Sequence, residues 1–587
     1  MTKNSAVNEP KEIGASKSKR SRADAVAAGG MGTACTRADE RVAAAMGLVE
    51  CATARFEAGH DVQMAGLLAG LPALCANGLL TGLGKHLNLP KGFYSALHIL
   101  LTLGFMALGR IRRPEGLRHL PPGELGKVIG LDRVPEVRTL RQKIAIMAAA
   151  GNPGAWMKEL AKSWMENDPD EAGYLYVDGH VRVYHGDKAN LPRRYVSRER
   201  LCLRGTTDYW VNDAIGRPFF VISKAVTEGL ADSIVKDIVP DLLASIPRQP
   251  TADELDEDPL LHRFVIVFDR EGATHSLLSA LWKHRIGAMT YRKSVKDAWP
   301  ESEFGEQEVP IPGGGSQRLR LAMRETQIAA AKDSIPVTEV RRLTASGHQT
   351  AIVTTARRLG TIAIASRMFA RWSQENFFAY MMQHYDIDGL IEYGTEQVPG
   401  TLEVVNAQWR DCDKAVRKAS QVERKLQADL ARQTARDGGE IHKKAEAVEA
   451  IQAVQAELAR LRAERKATPR KVTIDSLPED QRPTQLPPLN KTLSDTVKMI
   501  AYRAETALVA LLKRHLNKEE EARALVRELF VTAADIEPND AEKTLTIRIH
   551  RMAAPVHDKA IAALLEELTT LGFRHPETGA KIIYALV

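Results

Sequence analysis

The spacing of apolar positions changes character along the chain. From about residue 41 to 168 they recur every three or four residues, interrupted by Pro72, Asn88-Leu89-Pro90, Arg113-Pro114 and Pro121-Pro122, which predicts an all-helical region. From about 172 the period falls to two, predicting strands over 174–185, 201–211 and 218–226. An amphipathic helix (230–245), a strand (264–269), a helix (274–285) and a strand (287–292) follow, the alternation of an α/β sheet. Residues 294–365 keep β character around Pro310, Pro312 and Gly313-Gly314-Gly315-Ser316, with a hairpin turn at Ser346-Gly347, and read as an insertion. Met368 to Met382 then reads as helix. Residues 406–467 are charged and helical, broken once at Asp437-Gly438-Gly439. Ala447, Ile451, Val454, Leu458 and Leu461 step by four and three, predicting a helical hairpin whose arms reach about 40 Å at ~1.5 Å per residue.

The organisation expected is therefore multidomain α+β. A basic, disordered arm (1–40) precedes a helical DNA-binding candidate (41–168) and an α/β core (172–400) carrying the β-rich insertion. The hairpin (406–467), a Pro-rich linker (468–490) and a small α/β C-terminal region (491–587) complete it. At 587 residues the chain is too long for one core, consistent with several units of roughly 150 residues.

Charge adds little by its sum, because 81 Lys and Arg against 74 Asp and Glu leave only +7. The five cysteines lack zinc-site spacing and disulfide density, pointing to reduced thiols in a cytoplasm. The apolar run Phe93 to Leu108 is shorter than the roughly 20 residues that span a bilayer and contains His98, so a buried helix is expected, and no membrane partner. Within the helical region, Gly123 to Gly130, Leu131 to Pro135 and Glu136 to Ile144 read as helix, turn and helix. Arg138, Arg141 and Lys143 on the second helix either enter a DNA groove or form a solvated basic face.

Two strand-like runs end on an acid: Tyr174-Leu175-Tyr176-Val177-Asp178 and Phe264-Val265-Ile266-Val267-Phe268-Asp269. Each carboxylate is expected at the C-terminal tip of a buried strand, and Glu375 on the 368–382 helix is placed to join them. Three clustered carboxylates repel one another unless a cation sits among them, and oxygen ligands suit magnesium, with manganese able to replace it. Such a site cleaves phosphodiesters without a side-chain nucleophile, in keeping with the lack of a Ser/His/Asp or Cys/His set. His180, two residues past Asp178, either shares that site or is an ordinary polar residue, and Glu271 is the substitute ligand should Glu375 not serve.

These segments, with Leu131 to Arg141, resemble bacterial insertion-sequence transposases of the DDE superfamily, whose catalytic domain has a ribonuclease-H-like fold. The resemblance implies Asp178, Asp269 and Glu375 as catalytic metal ligands for Mg²⁺ (or Mn²⁺). It also implies double-stranded DNA as partner, a homodimer on DNA, and a bacterial, nucleoid-associated cytoplasmic location. One branch of that superfamily carries Tyr, Arg, Glu and Lys around the catalytic Glu; here Arg371 and Glu375 are kept, but Met368 and Met382 stand at the outer positions. Arg371 clamps a DNA phosphate or pairs with Glu375 along the helix; Trp372 stacks on an extruded base or packs in the core. Arg292 and Lys293 are candidates for lining a DNA path. The function expected is end binding, metal-dependent cleavage and strand transfer. The alternatives are a catalytically silent DNA-binding relative and a nuclease or resolvase of the same fold.

Overall fold

The computed structural model describes residues 33–196, 199–224, 229–293, 295, 297–311, 314–330, 333–389, 394–435, 441–552 and 554–587. Most of the expected basic arm, and the break at 437–439, lie outside these residues.

The N-terminal part comprises a short strand β1 (Gly59–Val62) and four principal helices: α1 (Ala96–Leu108), α2 (Pro122–Val128), α3 (Val137–Ala150) and α4 (Pro153–Asn167). The central sheet begins with β2 (Tyr174–Val183), β3 (Arg193–Val196), β4 (Leu201–Asn212) and β5 (Pro218–Lys224). It continues through β6 (Val265–Phe268), α5 (His275–Lys283) and β7 (Gly287–Tyr291). The insertion contributes β8 (Gly305–Pro310), β9 (Ser316–Ala330), β10 (Asp333–Leu343) and β11 (Gln349–Thr354). Helices α6 (Thr361–Phe369) and α7 (Trp372–Tyr380) follow. Strands run in the order β3-β4-β2-β6-β7-β11-β10-β9-β8, with β5 against β4. β2, β6 and β7 are parallel, β4 and β5 antiparallel, and β11 joins β7 antiparallel, so the insertion extends the sheet instead of standing apart from it.

Beyond the sheet lie β12 (Glu396–Gln397), β13 (Glu403–Val405), α8 (Ala407–Ala435), α9 (Ile441–Ala467), β14 (Lys471–Thr473) and β15 (Thr484–Gln485). The last part holds α10 (Pro488–Lys513), α11 (Ala522–Val531), β16 (Ala534–Asn539), β17 (Thr544–Ile549), α12 (Pro555–Thr570) and β18 (Lys581–Leu586). The arms α8 and α9 pack on each other.

Three domain expectations need correction. The helical region 41–168 is not self-contained: β1 pairs with β16 of the C-terminal part, and α1, α3 and α4 pack along α10. The cause is α10, which is buried round most of its circumference from Asn490 to Leu512 and so needs apolar neighbours that its own segment cannot supply. The 468–490 segment is not a free linker, because β14 pairs with β13 and β15 with β12. The described end of the 1–40 arm is held in place: the Thr36 and Arg37 amides donate to Asp132, and Arg41 pairs with the same carboxylate at 2.5 Å.

Candidate active site

The parallel ladder between β2 and β6 ends at Val177 opposite Phe268, so the next residue on each strand, Asp178 and Asp269, flank the point where the strands part. Asp269 stands just past the end of its strand, as expected. Asp178 does not: β2 runs on to Val183 because β4, twelve residues long, still pairs with it where β6 has stopped. Glu375 lies in the first turn of α7, and the expected single helix over 368–382 is broken between Phe369 and Trp372, with Arg371 at the junction.

Arg371 gathers the three acids. Its guanidinium is 3.5 Å from Asp178 Oδ2, 3.9 Å from Asp269 Oδ1 and 3.2 Å from Glu375 Oε1. The Arg371 side chain is 13% exposed against 54% for Glu375, so the positive charge sits beneath an acid that faces solvent. Burial pushes the Asp178 carboxyl up to about 6; Arg371 and the Gly179 amide pull the other way, while Asp269 and Glu375 add to the rise. Tyr291, at the end of β7, feels the same three partners, and burial raises its hydroxyl. No spacing signal marked Tyr291, since its place depends on β7 lying beside β6. Among the described residues no three Asp, Glu, His or Cys side chains form a ready-made metal cage. The donor set is nonetheless that of a hard cation, three carboxylates converging on one positive charge, which the guanidinium supplies here.

The first turn of α7 is seated on the β4–β5 turn. Gln374, fully buried, donates through Nε2 to the Asp213 carbonyl at 3.2 Å. The Asp213 carboxylate accepts from the amides of Ile215 and Arg217 and from the Arg217 side chain. Gly216 (φ +85°) passes so close that a Cβ would meet the Ser373 carbonyl at 3.1 Å. Further along, Phe378 stacks on His180 at 5.2 Å, and His180 bonds Asp388 at 2.6 Å. His180 thus shares the face of Asp178 but braces the helix and is not aimed at the acids. At the far end, Tyr380 and Tyr385 donate to the buried carboxylate of Glu505 on α10, which also accepts from Arg110 and Arg523.

The remaining sequence candidates separate. Trp372 is 61% exposed and lines a cleft of about 700 Å³ with Phe369, Asn376, Arg342 and Arg523, so the core-packing reading is corrected: the apolar side of α7 is filled by Phe377 and Phe378. Lys293 donates to the Glu271 carbonyl at 2.9 Å, beside Asp269, and Glu271 itself is exposed. Arg292 is paired with the buried Glu339. Arg138 is exposed on α3. Arg141 is not free for DNA, because its guanidinium donates to both carboxylate oxygens of Glu115 at 2.9 Å where the Pro114–His119 turn packs on α3. Lys143 is half-buried, and desolvation lowers its pKa. No helix among the described residues is long and apolar enough to cross a membrane.

Comparison with curated proteins finds no match. Among solved structures, a piggyBac transposase synaptic complex with hairpin DNA is similar at 11% identity and a TM-score of 0.28, over 49% of this chain and 59% of that one, less than two thirds of that protein's length. The profile of the family described as Transposase protein matches residues 32–587. A match over nearly the whole length, from the helical region through the acids to the last strand, places this chain in the transposase protein family.

Proposed function

We propose that the protein is a DNA transposase of the DDE type, with a ribonuclease-H-like core, that cleaves the ends of its element and joins them to target DNA. The observation that carries this reading is the meeting of Asp178, Asp269 and Glu375, drawn from two parallel strands and a later helix, around a single cationic group. The strand order β5-β4-β2-β6-β7, with β2, β6 and β7 parallel and β4 and β5 antiparallel, supports the fold assignment. Asp178, Asp269 and Glu375 would hold Mg²⁺ or Mn²⁺, which when bound supplies Lewis-acid stabilisation of phosphate oxygens and an activated water or 3′-hydroxyl.

The chain's own side chains do the rest. Arg371 keeps three carboxylates close together in the absence of another cation and, on releasing them, offers a fork of donors to the phosphate. Lys293 and Arg138 are exposed cations for the DNA backbone, and Trp372 presents an exposed aromatic face in the cleft it lines with Phe369 and Asn376. Two copies on paired ends, in a bacterial cytoplasm, complete the proposal.

The test uses duplexes from the flanks of the gene. Asp178→Ala, Asp269→Ala and Glu375→Ala should each abolish Mg²⁺-dependent nicking and leave duplex binding nearly unchanged, because ligands of one metal act as a unit. Nicking that survives Asp269→Ala refutes the assignment; loss with Glu271→Ala in place of Glu375→Ala moves the third ligand.

A further inference from the structure

The two arms of the helical hairpin carry their charge differently. Along α8 the positions Cys412, Val416, Ala419, Glu423, Leu426 and Leu430 step by four and three, which puts them on one side of the helix, and α9 meets them with Ile451, Val454 and Leu458. Val416, Ile451 and Leu458 are buried in this seam, and among the described residues the arms pack extensively only on each other.

The side of α8 turned away from the seam is basic. Arg410, Lys414, Arg417, Lys418, Arg424 and Lys425 are all exposed, and at ~100° per residue they fall within an arc of about 120°. Arg432 extends the same arc. No acid of α8 lies inside it: Glu423 is in the seam, and Asp411, Asp413 and Asp429 stand at the margins. These acids do little to neutralise the row. Asp413 pairs with Arg465 of α9 and with Arg417, Asp429 pairs with Arg432, and Glu423 accepts from Gln455 of α9 at 2.9 Å. Lys414, Lys418, Arg424 and Lys425 enter no ion pair among the described residues. Arg410 with Lys414, and Lys414 with Lys418, are like charges one turn apart, an arrangement that destabilises a helix unless an anion lies against it. The other arm lacks this pattern. Its outward face carries Ala453, Ala456, Ala459 and Ala463, and Arg460 there pairs with Glu457 and Glu464.

The row from Arg410 to Arg432 is about 33 Å long at ~1.5 Å per residue, close to one turn of duplex DNA at ~34 Å. Between its cations stand Gln421 and Ala428, so the arc offers no apolar side chain larger than alanine for a protein or lipid partner to bury. A regular polyanion satisfies such a surface through charge alone.

We infer that the outward face of α8 is a duplex-binding surface that lies along the phosphate backbone over about one helical turn and takes DNA of any sequence. The inference rests on DNA being the substrate, as proposed above. It gives the hairpin a role separate from the three acids: it adds affinity and no chemistry.

The experiment is a salt titration of DNA binding by the full-length protein, without divalent metal, on two duplexes of equal length, one from the gene flank and one of unrelated sequence. The variant Lys414→Gln, Lys418→Gln, Arg424→Gln, Lys425→Gln keeps helix-forming side chains on an exposed face. It should reduce the slope of log K against log salt by about three to four on both duplexes, since each phosphate contact contributes about 0.9. The variant Arg460→Gln, Arg462→Gln, Lys466→Gln removes three exposed cations from α9 and should change the slope by less than about one. A slope that falls by less than about one in the α8 variant, an equal loss per charge in the α9 variant, a loss confined to the flank duplex, or a wild type that binds neither duplex overturns the inference. Failure of the cleavage reading is separate, because it appears as absent Mg²⁺-dependent nicking by wild type whatever the slopes show.

Discussion

Replacing Glu505 by alanine removes the carboxylate on which three parts of the molecule converge: Arg110 from the helical region, Tyr380 and Tyr385 from α7 and the turn after it, and Arg523 from α11. The Glu505 side chain is fully buried, while those of Arg110 and Arg523 are 16% and 27% exposed, so the variant leaves two guanidinium groups near each other and mostly out of water. Removing one partner of a buried pair costs about 3–5 kcal/mol. Arg523 is partly wetted, so about 3 kcal/mol is expected, with Glu505→Gln losing about half of that because an acceptor oxygen remains. Equilibrium urea unfolding of the two variants measures this directly. The pH dependence follows from the carboxylate. Burial alone would raise its pKa, but Arg110 and Arg523 outweigh burial and hold it below the ordinary value. A depressed acid contributes stability above its unfolded pKa of about 4.3 and loses it as pH falls through the lower folded value. The wild type and Glu505→Gln should therefore differ at neutral pH and converge only once pH has fallen below the depressed folded value. A loss under about 1 kcal/mol for Glu505→Ala at pH 7 would refute the claim that this group ties α7 to the helical body.

Gln374→Leu keeps the bulk of a buried side chain but strands the Asp213 carbonyl, an unmade bond of about 1–3 kcal/mol; single-turnover cleavage should slow while duplex affinity holds, and unchanged cleavage would make the seat of α7 irrelevant to Glu375. Arg141→Ala should lower stability by about 1 kcal/mol through loss of the Glu115 pair and leave the salt dependence of DNA binding alone, whereas Arg138→Ala should weaken binding and reduce the slope against log salt by about one contact; the reverse pattern in salt titrations contradicts the placement of both. Burial depresses the Lys498 ammonium to about 8, with Lys491 adding to the effect. Wild-type stability should thus rise as pH climbs from about 8 to 10.5, where the unfolded lysine holds a proton the folded one has lost. Lys498→Met should flatten that rise and gain about 2 kcal/mol at pH 7 after allowing for the lost bond to the Asp386 carbonyl; no gain would show that the lysine is better solvated than its packing implies.

The strands of the core were legible because their chemistry is local. Val265, Ile266, Val267 and Phe268 are buried on both faces and read as one continuous apolar run. The helix 230–245 was legible in extent but not in form: a π turn occupies Ile234–Ile238, ahead of Pro240, which no periodicity signals. What escaped the sequence is long-range. Nothing in Gly59 to Val62 announces a strand, because its partner at 534–539 lies almost at the other end of the chain. The segment of α10 reads only as part of a small α/β C-terminal region, although it is the core of the helical body and carries Glu505. At the site the acid types and their strand or helix settings were visible, but Arg371 as the shared partner of all three was not. Spacing shows the Arg371–Glu375 neighbourhood along one helix, whereas the contacts to Asp178 and Asp269 depend on how α7 is seated by Gln374 and Gly216. The pairing of Arg141 with Glu115 was hidden for the same reason, since Glu115 lies in a preceding turn whose packing is tertiary.

The central claim, that Asp178, Asp269 and Glu375 act by holding a divalent cation, is tested most directly by metal-specific rescue. Cysteine in place of Asp269 offers a soft sulfur that Mg²⁺ avoids and Mn²⁺ accepts more readily. Asp269→Cys should be inactive in strand cleavage with Mg²⁺ and recover part of the wild-type rate with Mn²⁺, while Asp269→Ala stays inactive with both. Equal activity of Asp269→Cys in the two metals, or cleavage by Asp269→Ala in either, would contradict the account.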